Sequence, residues 1–201
     1  MASKPVSTDA KQSAKQPFLT DVKTLRERAR QHIAGGAVTE GYGGNTETAV
    51  KILNTALATE IICVLRYKRH YFMARGIHSA PVAAEFLEHA NDEQEHADRI
   101  AERIVQLGGE PDFAPDGLSS RSHSEYVQGT TLVDMIKEDL IAERIAIDSY
   151  RDMIRYFGPF DSTTRKMLEE ITATEEIEAT EEEHADDLAD LLQNLPRDLK
   201  N

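Results

Sequence analysis

Four stretches of apolar residues spaced three and four apart, each close to or beyond about 25 residues long, leave few folds open to this chain. The first runs from Thr46 to Arg75, before Gly76; the second starts at Ser79-Ala80-Pro81, with Pro in the first turn, and stops at Gly108-Gly109. The third follows Thr130 and stops at Gly158-Pro159, and the fourth runs from Asp161-Ser162 to just before Pro196. No strand-like alternation competes with them, so the chain is expected to be all-α. Helices of this length suit an elongated four-helix bundle. The breaks at Gly76 and Gly158 are short and force antiparallel neighbours, whereas residues 110–130 are long enough to cross the bundle between the second and third helices.

Ahead of the bundle, residues 1–19 are polar and rich in Lys, Ser and Gln, a composition that predicts a mobile tail. From Thr20 as N-cap, Val22, Leu25, Ala29 and Ile33 keep helical spacing as far as Gly35-Gly36, predicting a short amphipathic helix. A Gly-rich linker, Gly41 to Asn45, follows. The expected organisation is a basic tail and short helix over 1–45, the bundle over 46–195 and a C-terminal tail over 196–201.

Charge is unevenly spread over the net −13. Residues 1–34 carry seven Lys or Arg against three Asp or Glu, so the remainder holds 16 basic and 33 acidic side chains, a balance of −17. Such a body attracts cations and repels nucleic acid and anionic membranes. A tail with Lys4, Lys11, Lys15 and Lys23 could still grip DNA phosphates, and the acidic body makes that the less favoured expectation. The single cysteine, Cys63, excludes an intrachain disulfide and any four-thiolate iron site. With neither a signal-like N-terminus nor an apolar run of roughly 20 residues, a cytoplasmic protein off the membrane is expected.

Acidic residues interrupt the apolar stripes at matching depths. The first stripe reads Leu53, Leu57, Glu60, Val64, Tyr67, Tyr71; the second Val82, Phe86, His89, Glu93, His96, Ile100; the third Ile136, Leu140, Glu143, Ile147, Tyr150, Ile154. An unpaired buried carboxylate costs several kcal/mol, so three helices that each place one at mid-stripe require something positive between them. Glu93 and His96 share a helix face at i and i+3, and Glu181 with His184 repeats the pair on the fourth helix. Together with Glu60 and Glu143 they make six candidate ligands. Four carboxylates balance two divalent cations, and the oxygen and imidazole mixture suits iron or manganese. Taken singly, a Glu-x-x-His on an acidic helix is usually a solvated face; the combination is what points to metal.

The segments Glu60-Ile-Ile-Cys-Val-Leu-Arg-Tyr67, Glu93-Gln-Glu-His-Ala-Asp-Arg99 and Ala142-Glu143-Arg144 resemble the bacterioferritin and mini-ferritin families over residues 46–195. The resemblance implies a ferritin-like bundle that holds two iron ions per subunit, oxidises Fe(II) with O2 or H2O2, and stores Fe(III) as mineral in a homo-oligomeric shell. It also implies that Tyr67, seven residues after the first glutamate, lies beside the metals as electron donor or hydrogen-bond partner. Gln94 stands where haem-binding bacterioferritins carry methionine, so no haem is expected. Seventeen residues follow His184, too few for the fifth helix of 24-subunit shells, and a helix precedes the bundle. A 12-subunit shell of the starvation-protein (Dps-like) kind is therefore expected. The same ligands would serve a di-manganese catalase or a peroxide-scavenging relative, and an assembly or DNA-coating shell with an impaired metal site is the non-enzymatic alternative.

That impairment would come from a repeat: Ile171-Thr-Ala-Thr-Glu-Glu176 is followed directly by Ile177-Glu-Ala-Thr-Glu-Glu182. Six extra helical residues turn everything beyond them by roughly −120° and add about 9 Å. Either Glu181 and His184 face the metals or Glu175 and Glu178 do, and Leu188, Leu191 and Leu195 favour the first register. His89, one turn before Glu93, is expected to be structural or to support a ligand.

Overall fold

The computed structural model describes residues 20–36, 38–76, 79–172 and 181–194. Among them the chain is helical: α1 (Val22–Arg28), α2 (Thr46–Met73), α3 (Ser79–Gln106), α4 (Leu118–Arg121), α5 (Leu132–Phe157), α6 (Ser162–Thr172) and α7 (Glu181–Asn194), with a 3-10 turn at Ile33–Gly35. The expected tail over 1–19 and the end beyond 194 lie outside the described residues.

Caps fix where the long helices begin. Asn45 accepts a hydrogen bond from the Thr48 amide at 2.8 Å to start α2. Thr131 and Asp134 exchange reciprocal hydrogen bonds to start α5. Asp161 starts α6, accepting from the Thr164 amide at 2.8 Å and its hydroxyl at 2.6 Å. The short N-terminal helix departs from expectation: its cap is Asp21 rather than Thr20, because the aspartate oxygen reaches the Thr24 amide at 3.0 Å. It stops at Arg28, and no α1 residue is buried, so nothing in the packing extends it towards Ile33.

The long helices bury their stripes in two apolar clusters, one at each end of the bundle. Leu53, Leu57, Ile100, Ile104, Phe157, Leu168 and Ile171 fill one; Tyr67, Val82, Phe86, Ile136 and Leu188 fill the other. Each fully buried Leu, Ile or Phe contributes about 1.5–3 kcal/mol, so these clusters clamp whatever lies between them. Close backbone approach helps at Gly44, where an added Cβ would stand 2.2 Å from the Phe160 ring. Arg103 of α3 ties the α5–α6 turn down, donating to both Asp161 oxygens at 3.0 Å and to the Thr164 hydroxyl at 2.8 Å.

The connection between α3 and α5 lies along α2. Asn54 donates to the Glu110 carbonyl, Thr59 accepts from the His123 amide, Arg66 donates to the Glu125 carbonyl and Arg69 to the Gln128 carbonyl. From Asn54 to Arg69 these anchors span fifteen residues of helix, about 22 Å.

Three details differ from the sequence reading. By length and apolarity α2 is a helix that could cross a membrane; it is a core helix, burying Glu60, Arg66 and His70 along with its apolar face. On α5, Leu140 is half-buried and Asp139 takes the fully buried place, because Arg66 and His70 of α2 wait opposite it. The fourth long segment is described as α6 and α7, with 173–180 outside the described residues. Leu168 and Ile171 before that stretch and Glu181, His184 and Leu188 after it are all buried.

Candidate metal centre

Between the two apolar clusters, α2 contributes Glu60, α3 contributes Glu93 and His96, α5 contributes Glu143, and α7 contributes Glu181 and His184. None of the six is more than 4% exposed. The structure brings all six together. The alternative pair, Glu175 and Glu178, lies outside the described residues.

Their donor atoms form two overlapping groups, each with every atom within 4.8 Å of the others: Glu60, Glu93, His96 and Glu181, then Glu93, Glu143, Glu181 and His184. Glu93 and Glu181 belong to both. His96 Nδ1 faces Glu60 at 3.5 Å, Glu93 at 3.5 Å and Glu181 at 3.3 Å. His184 Nδ1 lies 3.8 Å from both Glu93 and Glu143. Among the described residues, each of the six side chains keeps at least one buried oxygen or nitrogen with no hydrogen-bond partner, including both oxygens of Glu93 and of Glu181. Leaving such groups unmade costs about 1–3 kcal/mol apiece. Two divalent cations would satisfy these atoms and cancel four carboxylate charges, so the donor set fits a metal pair.

Proximity splits the ionisation of like groups. Burial, with the charges of Glu181, Glu60 and Glu143, pushes Glu93 well above the usual carboxylate range. Burial and the charges of Glu143 and Glu60 do the same to Glu181. In Glu60, burial is outweighed by contacts with Glu93, His96 and Tyr150, and the carboxyl is lowered; in Glu143 it is outweighed by Glu181, His184 and Tyr67. Burial disfavours the two imidazolium ions, yet neighbouring carboxylates raise His96 to about 10 and His184 to about 9. Free of metal, these directions favour Glu60 and Glu143 as the carboxylates that face the two imidazoles, while Glu93 and Glu181 hold their protons more tightly than free carboxyls.

A layer of hydrogen bonds orients the glutamates. Tyr67 of α2 donates to Glu143 of α5, and Tyr150 of α5 donates to Glu60 of α2. Each tyrosine lies seven residues after one glutamate and reaches the other, which requires α2 and α5 to be antiparallel. Sequence reasoning flagged Tyr67 and passed over Tyr150, although the identical seven-residue spacing from Glu143 was a usable signal. His89 Nδ1 stands 3.2 Å from the Tyr67 hydroxyl, and its ring stacks on His184 at 4.0 Å. Asp92, also passed over, lies 3.4 Å from His184 Nε2, the kind of outer carboxylate that fixes a ligating imidazole.

Residues 50–198 match the family model described as the ferritin-like domain. The bacterioferritin of Desulfovibrio desulfuricans is 27% identical over 132 residues, covering 65% of this chain and 70% of that one. Mycobacterium tuberculosis bacterioferritin BfrA is 29% identical over 148 residues, 74% of this chain and 86% of that one. Among solved structures, the dodecameric thioferritin of Bacteroides fragilis, a bacterioferritin-related protein, superposes with a TM-score of 0.69 at 30% identity, covering 75% of this chain and 87% of that one. With three-quarters of its length matched in sequence and in fold, and a buried glutamate and histidine cluster at the middle of its helices, the chain belongs to the ferritin family.

Proposed function

We propose that this protein is a ferroxidase that oxidises Fe(II) at a pair of positions inside each subunit and stores the Fe(III) product in an oligomeric shell. The observation that carries this reading is the set of partnerless donor atoms shared by Glu60, Glu93, His96, Glu143, Glu181 and His184 at the dry centre of the bundle. Glu60 and His96 would hold one substrate iron and Glu143 and His184 the other, with Glu93 and Glu181 shared between them. Two Fe(II) ions supply one electron each to O2 or H2O2. The chain's part is to fix the ions side by side, neutralise their charge and keep bulk water out. Tyr67, hydrogen-bonded to Glu143, is placed to steady that ligand and to give one electron to the oxidant as its phenolic proton passes to Glu143.

The bundle topology in this reading is two antiparallel hairpins over 46–195 joined by one long crossover, without a fifth helix. The 30% identical neighbour from Bacteroides fragilis is dodecameric, which supports a 12-subunit shell here. One buried cysteine, Cys63, free of any disulfide, accords with a reducing cytoplasmic setting.

Anaerobic titration with Fe(II) followed by oxidant tests the reading. Two irons per subunit should be consumed rapidly, and Glu93→Ala, which removes a shared ligand, should slow that phase about a hundredfold. Oxidation no faster than in buffer refutes it, and sustained peroxide turnover without mineral would favour a catalase instead.

A further inference from the structure

We propose that Glu85, His89 and Asp187 form a third divalent-cation site, at the rim of the bundle beside the buried pair. Glu85 and His89 lie four residues apart on one face of α3, and Asp187 lies three residues after His184 on α7. One donor atom from each falls within 4.8 Å of the other two. The Asp187 side chain is 50% exposed while that of His89 is 2% exposed, so the site has a buried floor and an open mouth.

Hydrogen-bond logic fixes the histidine. The single proton of the Tyr67 hydroxyl goes to Glu143, so that hydroxyl can accept from His89 Nδ1 but not donate to it. In the neutral imidazole Nδ1 therefore carries the ring proton, and Nε2 presents a lone pair. Among the described residues this nitrogen makes no hydrogen bond; its polar neighbour is Asp187 Oδ2 at 3.9 Å, an acceptor facing an acceptor when the ring is neutral. A cation between them resolves that opposition. One neutral imidazole and two carboxylates neutralise a divalent ion and suit Fe(II) or Mn(II), with water completing the shell at the mouth.

His89 also groups with Glu143 and His184, again within 4.8 Å. The same ring thus borders the rim site on one side and the buried cluster on the other, and hands cations inward. That delivery role rests on the ferroxidase reading; the cation site itself does not.

Crystals grown with Mn(II) and measured at the manganese absorption edge locate the ions, using wild type and the double variant Glu85→Gln with Asp187→Asn. Three peaks per subunit are expected in the wild type, one of them at His89 Nε2, and two in the variant, with the buried pair kept. Initial Fe(II) oxidation at sub-stoichiometric iron should fall roughly tenfold in the variant, the low end of what a charged cleft adds to an association rate. A rim peak with no buried pair would support the site while sinking the ferroxidase reading. A buried pair with no rim peak in wild type, or an unchanged oxidation rate in the variant, would overturn the site or its delivery role respectively.

Discussion

Arg66, His70 and Asp139 are buried as completely as the six glutamates and histidines beside them, yet the two groups treat their polar atoms in opposite ways. Asp139 accepts from Arg66 Nε at 2.7 Å and pairs with His70 Nδ1 at 2.7 Å; Arg66 donates onward to the Glu125 carbonyl, and His70 Nε2 meets the Gln128 carbonyl at 3.0 Å. Every charge there has a partner within the chain, and the triad fastens the α3–α5 connection to α2. The glutamate and histidine cluster is left with partnerless oxygens and nitrogens. A closed network holds a fold, whereas an open one waits for something from outside.

Breaking the closed network should have the largest effect. Asp139→Ala leaves Arg66 buried without its carboxylate and is expected to cost about 3–5 kcal/mol in chelator-treated protein, read from urea or guanidinium unfolding. In the same buffer Glu93→Gln with Glu181→Gln should leave stability within about 1 kcal/mol of wild type, or above it, since it removes crowded carboxyls rather than a satisfied pair. Equal losses in the two variants would erase the distinction drawn between the networks.

Metal should close the open network. At a free Mn(II) concentration a hundred times its Kd, unfolding should cost about 2.7 kcal/mol more per bound ion in wild type, with little gain in the Glu93 and Glu181 double variant. Thermal melts with and without chelator check it, and a wild type indifferent to metal would count against the open cluster as a binding site.

Protons give a finer measure. Loading two cations near pH 7 must expel the protons of the two imidazolium ions, and whatever protons the raised Glu93 and Glu181 still hold, so binding should release protons. Calorimetry in buffers of different ionisation enthalpy counts them, and a release near zero would be incompatible with the ionisation pattern. Without metal, the raised histidines contribute stability that is complete below their ordinary value of 6.5 and is lost as pH climbs through about 9 and 10. The raised Glu93 and Glu181 act in the same sense, so chelated protein should weaken on the alkaline side.

The tyrosines should show smaller effects than Asp139→Ala. Tyr150→Phe and Tyr67→Phe each remove one buried hydrogen bond to a glutamate, worth about 1–3 kcal/mol at a charged acceptor. Tyr67→Phe should in addition slow Fe(II) oxidation, and a variant with unchanged rates would reduce Tyr67 to a packing residue.

Most of the helical frame was legible because its signals are local. Pro81 in the first turn of α3, Thr131 and Asp134 at the start of α5, and Gly158 after its end act within a turn of their own positions. The inward glutamates were legible for a related reason: an acidic residue at mid-stripe contradicts the apolar face around it. Asp139 escaped notice because periodicity placed Leu140 on the stripe, and a displacement of one residue costs little when Arg66 and His70 stand opposite. Tyr150 escaped because it sits on the apolar stripe of α5 and reads there as one more packing residue, although its hydroxyl reaches Glu60 of α2.

What the sequence determined by itself is the long helices, their buried faces and the shared depth of Glu60, Glu93, His96 and Glu143, since all three follow from spacing along a single rod, whereas the repeat left the register of Glu181 and His184 open. Which glutamates are shared by both halves of the cluster, which tyrosine reaches which helix, and which buried charges find partners were decided by the tertiary structure. Those choices depend on how separate rods are rotated and slid against one another, and no residue's neighbours in the chain carry that information.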